Sequence, residues 1–135
     1  MPNGLTVAEY VREDGSSPYA AWFDGLHVQA AAKVATAVAR LEQGNLSRVK
    51  WIGTIGEHRI DWGPGYRIYL GRDGDRLIIL LGGGTKKRQQ ADIERARRYG
   101  RNTRHGSGRG EAAPEEVNNG TDARFQGYCR RARST

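Results

Sequence analysis

Four short runs rich in β-branched, aromatic and aliphatic residues follow one another between residues 49 and 81, and turn-forming residues separate them. The runs cover residues 49–52, 57–62, 66–70 and 76–81. The tripeptide Gly63-Pro64-Gly65 precedes the third run and Asp73-Gly74 precedes the fourth, and both are typical of tight turns. We therefore expect the last three runs to form consecutive hairpins of an antiparallel sheet.

The last run differs from the others because residues 77–81 are leucine and isoleucine without interruption. A strand that is apolar on both faces is typical of the centre of a sheet. We expect a helix to cover one side of it. Glycines at 82–84 are expected to let the chain turn off the sheet, although such glycines also cradle phosphates through their backbone N–H groups.

The residues before this sheet predict a strand and a helical hairpin. Residues 5–11 alternate weakly between apolar and polar and favour a first strand. Ser17 followed by Pro18 is typical of a helix N-terminus, because proline at the first helical position loses no hydrogen bond. After Gly25, a longer helix is predicted over residues 26–43, with apolar side chains on one stripe.

The residues after the sheet predict a final helix and a tail. A helix is expected over residues 89–99, whereas residues 101–135 are too polar to bury a core and predict a flexible basic tail. The domain is therefore expected to span residues 1–100. The predicted class is α+β, with an N-terminal strand and a helical hairpin packed on one face of an antiparallel sheet, and a C-terminal helix.

The positive charge is concentrated in one segment. The chain has a net charge of +7, and residues 86–104 hold eight basic side chains against two acidic ones. A concentrated block of this kind favours a polyanionic partner such as RNA, because each phosphate contact releases counterions. A solvated helix face is the alternative interpretation.

The cysteine content and the hydropathy indicate a cytoplasmic, metal-free protein. The chain has one cysteine, Cys129, and lacks a Cys/His cluster with metal-ligand spacing. The N-terminal residues show no signal-peptide pattern, and the longest apolar run is too short to cross a bilayer. We expect no cofactor and no membrane partner.

Four segments, taken together and in this order, resemble a known toxin family. They are GEHRI at 56–60, GPGYRIY at 63–69, LLGGGTKK at 80–87 and QADIERA at 90–96. The set is similar to the phage-derived addiction-module killer branch of the RelE/ParE toxin superfamily, which includes HigB-type toxins. The resemblance covers about residues 5–98 and implies a RelE-like, microbial-RNase-like fold.

The function that the resemblance implies is that of a toxin in a type II toxin–antitoxin system. Such a toxin is an endoribonuclease, an mRNA interferase that cleaves messenger RNA on the 70S ribosome by metal-independent attack of the 2′-OH. Its expected partners are messenger RNA on the ribosome and a cognate antitoxin with a helix-turn-helix domain. The result is growth inhibition.

The resemblance also assigns candidate catalytic residues. Arg67 stands where relatives place a phosphate-binding arginine, and its planar guanidinium suits phosphate oxygens. Lys86 or Lys87 matches the second basic position. Arg59 and His58 lie on the preceding strand, where only one of the two can face the RNA because neighbouring residues point to opposite sides. His58 is a candidate acid or base because histidine titrates near neutrality.

Four further residues are candidates for RNA binding. Tyr69 is expected to stack on a base, although an aromatic residue in a strand more often packs in the core. Arg88, Arg95 and Arg98 are expected to contact phosphates. Some relatives carry a tyrosine or a histidine near the end of the domain, where this chain has Asp92 and Ile93.

Other interpretations remain open at this stage. A ParE-like toxin would inhibit a topoisomerase by binding it and would cut nothing, and an inactive relative would only bind RNA or its antitoxin. Arg67 has a structural alternative as well, an ion pair with Asp61 across the hairpin. Arg67 is expected to be exposed, so Arg67→Ala is predicted to abolish toxicity and leave the protein folded.

Overall fold

The computed structural model describes residues 5–108 and 129–131. It contains six strands and three α-helices in these residues. In chain order the elements are β1 (Thr6–Tyr10), α1 (Pro18–Asp24), α2 (Val28–Glu42), β2 (Val49–Ile52), β3 (Ile55–Ile60), β4 (Tyr66–Asp73), β5 (Leu77–Thr85), a 3₁₀ turn (Lys86–Arg88), α3 (Gln89–Gly108) and β6 (Cys129–Arg131). The α+β class predicted from the sequence is confirmed.

The strands form one mixed sheet in the order β2-β3-β4-β5-β1-β6. Strands β2 to β5 are antiparallel neighbours, as predicted, but β1 lies parallel to β5, with Thr6 opposite Leu77 and Glu9 opposite Leu80. The expectation of a wholly antiparallel sheet is therefore wrong. The reason is that β1 is not joined to β5 by a hairpin: α1 and α2 carry the chain from β1 to β2 on the other side of the sheet, and the β2–β5 meander then returns β5 beside β1 in the same direction.

The helices cover both faces of the sheet, not one as expected. The apolar cluster under α1 and α2 includes Val34, Leu41, Ile68 and Leu80. The cluster under α3 joins residues of β1, β3, β4 and β5 to the helix, and its buried members are Ala8, Tyr10, Ile55, Tyr69, Ile79, Leu81, Ile93 and Ala96. Alternation along β5 explains the arrangement, because successive side chains of that strand point to opposite layers.

The two N-terminal helices begin at side-chain caps. The Ser17 hydroxyl accepts a hydrogen bond from the Ala20 N–H at 3.0 Å, and Pro18 occupies the first turn, so the predicted start of α1 is confirmed. In α2 the cap is His27, whose Nδ1 accepts from the Ala30 N–H at 3.4 Å. Helix α2 therefore begins at Val28, two residues later than predicted.

The C-terminal segment holds more secondary structure than the sequence predicted. Helix α3 passes its expected end at residue 99 and continues to Gly108, and β6 pairs antiparallel with β1, with Tyr10 opposite Cys129. The rest of the predicted tail lies outside the described residues. No helix in the described part of the chain has both the length and the apolar character needed to cross a membrane.

Candidate functional site

The candidate residues of β3 and β4 divide between the two faces of the sheet. Arg59 lies directly opposite Arg67, and Glu57 lies opposite Tyr69, so these four side chains share the face that α3 covers. His58 lies opposite Ile68, whose side chain belongs to the cluster under α1 and α2. The structure therefore brings Arg59 and Arg67 together and places His58 on the other side.

A buried carboxylate, Glu57, is the centre of the polar cluster on the α3 face. Its Oε2 lies 3.0 Å from Arg67 Nε and accepts a hydrogen bond from Gln89 Nε2 at 2.7 Å. Its Oε1 lies 3.6 Å from Arg59 Nε. Two guanidinium groups and an amide thus lie beside a carboxylate that is 0% exposed, while its Oε1 has no hydrogen-bond partner among the described residues.

Arg67 is buried by this arrangement. It is 7% exposed, which overturns the expectation of an exposed arginine. The alternative partner Asp61 is also wrong, because Asp61 is exposed and its Oδ2 lies 4.0 Å from Arg48 Nη1. Removing the Arg67 side chain would leave the Glu57 charge without its closest cation, so Arg67→Ala tests stability as well as activity.

Tyr69 also belongs to the core of this layer. Its ring packs in the cluster under α3 and is 1% exposed. Burial, followed by the negative charges of Glu57 and Asp92, raises the pKa of its hydroxyl. The hydroxyl therefore stays protonated at neutral pH.

An open cleft of about 410 Å³ lies between α1 and α3 along the end of β5. Its lining comprises Arg12, Pro18, Ala21, Trp22, Tyr69, Leu81, Gly82, Gly83, Gly84, Thr85, Arg88, Asp92, Arg95, Ala96 and Tyr99. The register of β1 with β5 ends at Leu80, so residues 82–85 of β5 have β4 on one side and the cleft on the other. The cleft is therefore bordered by a strand edge.

The glycines of this segment stay in the strand, contrary to the prediction that they turn the chain off the sheet. A side chain at Gly83 would collide with the Trp22 ring, and one at Gly84 would collide with the Asp92 carboxylate. The two glycines therefore let α1 and α3 approach β5 from its two faces. This close approach forms the cleft.

Asp92 lies at the bottom of the α3 wall of the cleft and is 7% exposed. Its Oδ1 accepts a hydrogen bond from Arg95 Nη1 at 3.1 Å, whereas its buried Oδ2 has no hydrogen-bond partner among the described residues. Burial raises the pKa of this carboxyl, although the charges of Arg95 and Arg88 oppose the effect. One carboxylate oxygen is thus buried against Gly84 without a hydrogen-bond donor among the described residues.

The basic candidates occupy three positions. Arg88 and Arg95 line the cleft, where Arg12 joins them, although Arg12 was not predicted. Lys86 and Lys87 are exposed in the 3₁₀ turn at the end of β5. Arg98 is exposed on α3 but does not line the cleft, and the Arg59 side chain is 49% exposed.

His58 occupies an apolar position under α2 and is 2% exposed. Burial lowers its pKa to about 4, and the positive charges of Arg48 and Arg40 add to the effect. Its Nδ1 has no hydrogen-bond partner among the described residues. The imidazole is therefore neutral at physiological pH and lies apart from the other candidates.

Glu57, Gln89 and Arg12 are the members of the site that sequence reasoning missed. A glutamate in a strand is usually directed to solvent, and the neighbours Gly56 and His58 gave no sign of burial, so nothing in the pattern distinguished Glu57. The arginines at 59 and 67 identify Glu57 as their shared partner only once the strand register is known. No group of three or more His, Cys, Asp or Glu side chains suited to a metal ion occurs within residues 5–108 and 129–131.

Comparison with known proteins gave one informative match. The chain is 41% identical over 78 residues to an uncharacterized protein of Haemophilus influenzae, and the match spans 56% of this chain and 79% of that protein. No protein-family model matches the chain. No solved structure matches it either.

Proposed function

The chain belongs to the same protein family as the Haemophilus influenzae protein, and we propose that it is a RelE/HigB-type toxin of a type II toxin–antitoxin system. In this proposal it acts in the cytoplasm as a ribosome-dependent endoribonuclease, and its α+β domain is a variant of the RelE-like fold. A cognate antitoxin neutralises it. The four sequence segments that resemble this family are one support for the proposal.

The observation that carries the proposal is a row of basic side chains at one end of the sheet. Arg59, Arg67 and Gly84 lie directly opposite one another on β3, β4 and β5, on the face that α3 covers. Lys86 and Lys87 follow the same end of β5, where the Lys86 N–H donates to the Gly65 carbonyl at 3.3 Å. Cations from separate elements therefore flank one strip of surface, as binding to an RNA backbone requires.

The exposure of each side chain suggests its role. Arg59, Lys86 and Lys87 are exposed, and we assign them to the scissile phosphate, where they would stabilise the negative charge that develops during attack by the neighbouring 2′-OH. Arg67 is a positioning residue in this scheme. It shares the Glu57 carboxylate with Arg59, and that carboxylate orients the Arg59 guanidinium at the surface.

Induction of the chain in growing cells tests this function. We expect growth arrest together with cleavage of translated messenger RNA, mapped by primer extension. Arg59→Ala and the double variant Lys86→Ala/Lys87→Ala are expected to lower cleavage roughly 100-fold, the usual effect of removing one group that stabilises transition-state charge. The matched control is Arg76→Ala, which removes an exposed arginine at the opposite end of β5 and is expected to cleave like the wild type.

Two outcomes would contradict the proposal. Growth arrest with intact messenger RNA would favour the ParE-like topoisomerase inhibitor. Full cleavage by the double lysine variant would show that the basic strip is not the catalytic surface.

A further inference from the structure

We infer that a row of arginines along the cleft between α1 and α3 binds the phosphates of the RNA strand beyond the scissile position. The arginine row consists of Arg12, Arg88 and Arg95, which all line the cleft. The inference rests on the proposed function for its substrate class, RNA. It adds the path that the strand takes once it leaves the exposed cations assigned to the scissile phosphate.

The α3 wall of the cleft is one face of that helix. Its lining residues Asp92, Arg95 and Tyr99 follow one another at intervals of three and four residues, and Arg88 precedes Asp92 by four. Because a helix rises about 1.5 Å per residue, the wall from Arg88 to Tyr99 is about 16 Å long. The arginine positions are therefore distributed along a groove, an arrangement that suits a chain of phosphates.

Arg12 adds a cation from a different element, the turn that follows β1. Its Nη2 donates a hydrogen bond to the Tyr99 hydroxyl at 2.7 Å, and its guanidinium lies 5.4 Å from the centre of the Tyr99 ring. The Tyr99 ring is itself stacked on Tyr10, with 4.9 Å between the ring centres. A guanidinium held in this way loses less freedom when it binds a phosphate, which a merely solvated arginine would not offer.

The protein leaves most of the positive charge of the row without a counter-ion. Among the described residues, no carboxylate forms a salt bridge with Arg12 or Arg88, and both residues are exposed. Asp14 is close to Arg12 in sequence, but its carboxylate accepts hydrogen bonds within its own turn. Arg95 pairs with Asp92, the acid of the cleft lining. Two guanidinium groups thus border the cleft in a form that can bind phosphate oxygens.

Continuity with the proposed catalytic surface favours RNA over an acidic protein segment. Arg88 follows Lys86 and Lys87 directly in the same 3₁₀ turn, so the cations assigned to the scissile phosphate lead without a gap into the arginine row. A single RNA strand carries one phosphate for every nucleotide. A strand held at the two lysines can therefore continue along the cleft, where each further phosphate contact adds affinity.

Fluorescence anisotropy with a short labelled 2′-O-methyl oligoribonucleotide tests the inference without ribosomes. This RNA has no free 2′-OH to attack the phosphate, so the assay measures binding alone. The double variant Arg12→Gln/Arg88→Gln should bind at least about tenfold more weakly, since hydrogen bonds to charged groups contribute about 1.5–3 kcal/mol. The slope of log affinity against log salt concentration should become shallower by about 1.4, at about 0.7 for each phosphate contact.

The matched control is Arg97→Gln/Arg98→Gln, which removes two exposed arginines of α3 that do not line the cleft. We expect its salt slope to change by less than half as much. Equal losses in the two double variants would show that net charge, and not the cleft, supplies the affinity, and would overturn the inference. A wild-type protein that binds this RNA without salt dependence, or does not bind it, would overturn it as well.

The single variant Arg88→Gln guards against a structural effect of losing the bond between Arg12 and Tyr99. The Arg88 side chain makes no hydrogen bond or salt bridge within the described part of the chain, so its removal should leave α3 in place. We expect about half of the change in slope that the double variant shows, and a wild-type slope would exclude Arg88 from the row.

A glutamate-rich peptide in the same assay distinguishes RNA from a protein partner. If the peptide binds with a dependence on Arg12 and Arg88 and the RNA does not, the row docks an acidic protein and the inference is wrong. The cleavage assay separates the inference from the proposed function. If messenger RNA is cleaved in cells but the two double variants bind RNA alike, the arginine row fails and the ribonuclease stands. If nothing is cleaved but RNA binding depends on Arg12 and Arg88, the ribonuclease fails and the arginine row stands.

Discussion

The two faces of the sheet bury polar groups in different ways. Under α1 and α2, the strands bury Glu9 and His58, but β4 and β5 lie between the strands that carry them. Under α3, Glu57 contacts both Arg67 and Gln89 directly. On one face the two buried polar side chains therefore lie apart from each other, whereas on the other face Glu57 joins its neighbours in a connected polar cluster beside an open cleft.

The difference shows where the chain gives up stability for chemistry. A buried ion pair is seldom more stabilising than apolar packing of the same volume, so a cluster such as Glu57–Arg67 points to a functional requirement. The α1 and α2 face, with Leu41, Ile68 and Leu80 completely buried, supplies the compensating hydrophobic burial. Substitutions on the two faces should accordingly change the free energy of unfolding in different ways.

The largest effect is expected when the connected cluster is broken. Arg67→Ala should lower the free energy of unfolding by about 3–5 kcal/mol, because it leaves the Glu57 carboxylate buried without its closest cation. The double variant Arg67→Met/Glu57→Leu should recover most of this loss. Urea denaturation measures both, with Arg72→Ala on the same strand as the exposed control, expected to cost about 1 kcal/mol or less.

Failure of the double variant to recover stability would mean that the two residues do not act as a pair. A loss below about 1 kcal/mol in Arg67→Ala would show that Glu57 finds another partner or a proton. Either result would mean that the polar groups on the α3 face do not act as a connected cluster, unlike the arrangement described above.

The second prediction concerns His58, the buried imidazole on the α1 and α2 face, and its effect on how stability depends on pH. The pKa of His58 is lowered to about 4, from about 6.5 in an unfolded chain. Between these pH values the unfolded state binds more protons, so stability falls as the pH is lowered from 6.5 to 4. The loss should reach about 3 kcal/mol, at 1.36 kcal/mol per pKa unit.

Urea denaturation between pH 7 and pH 4 measures this slope. His58→Leu should remove the His58 contribution, whereas His27→Asn, a substitution at an exposed histidine that keeps a capping side chain on α2, should retain it. If the His58→Leu protein loses stability with falling pH as steeply as the wild type, carboxyl groups and not the buried imidazole cause the acid sensitivity.

The smallest effect is expected at the edge of the apolar face. Ser17→Ala removes the cap of α1 and should lower the free energy of unfolding by about 1 kcal/mol. Urea denaturation measures this loss, and an unchanged free energy of unfolding would show that the Ser17 hydroxyl does not stabilise α1.

The sequence predicted the helices and strands better than it predicted which strands pair with one another. Ser17 and Pro18 marked a helix start, and Asp73-Gly74 marked a hairpin, because both signals are local. The parallel pairing of β1 with β5 was missed, since periodicity in residues 5–11 gives no direction for a partner about 70 residues away in sequence. The continuation of β5 through residues 82–84 was missed because glycine favours turns unless close contacts require it.

The candidate site was likewise predicted only where the signal is local in the sequence. The resemblance supplied Arg59 and Arg67, and the register placed them side by side. Their shared partner Glu57 and the carboxylate of Asp92 depend on how α3 docks, which is a property of tertiary packing and leaves no periodic trace in the chain.

The contact between Gly84 and Asp92 has an evolutionary consequence. Any side chain at position 84 would displace the carboxylate at position 92, so the two positions cannot vary independently while the helix stays docked. Homologous genes should therefore divide into two groups, those that encode glycine together with the acid and those that have exchanged both.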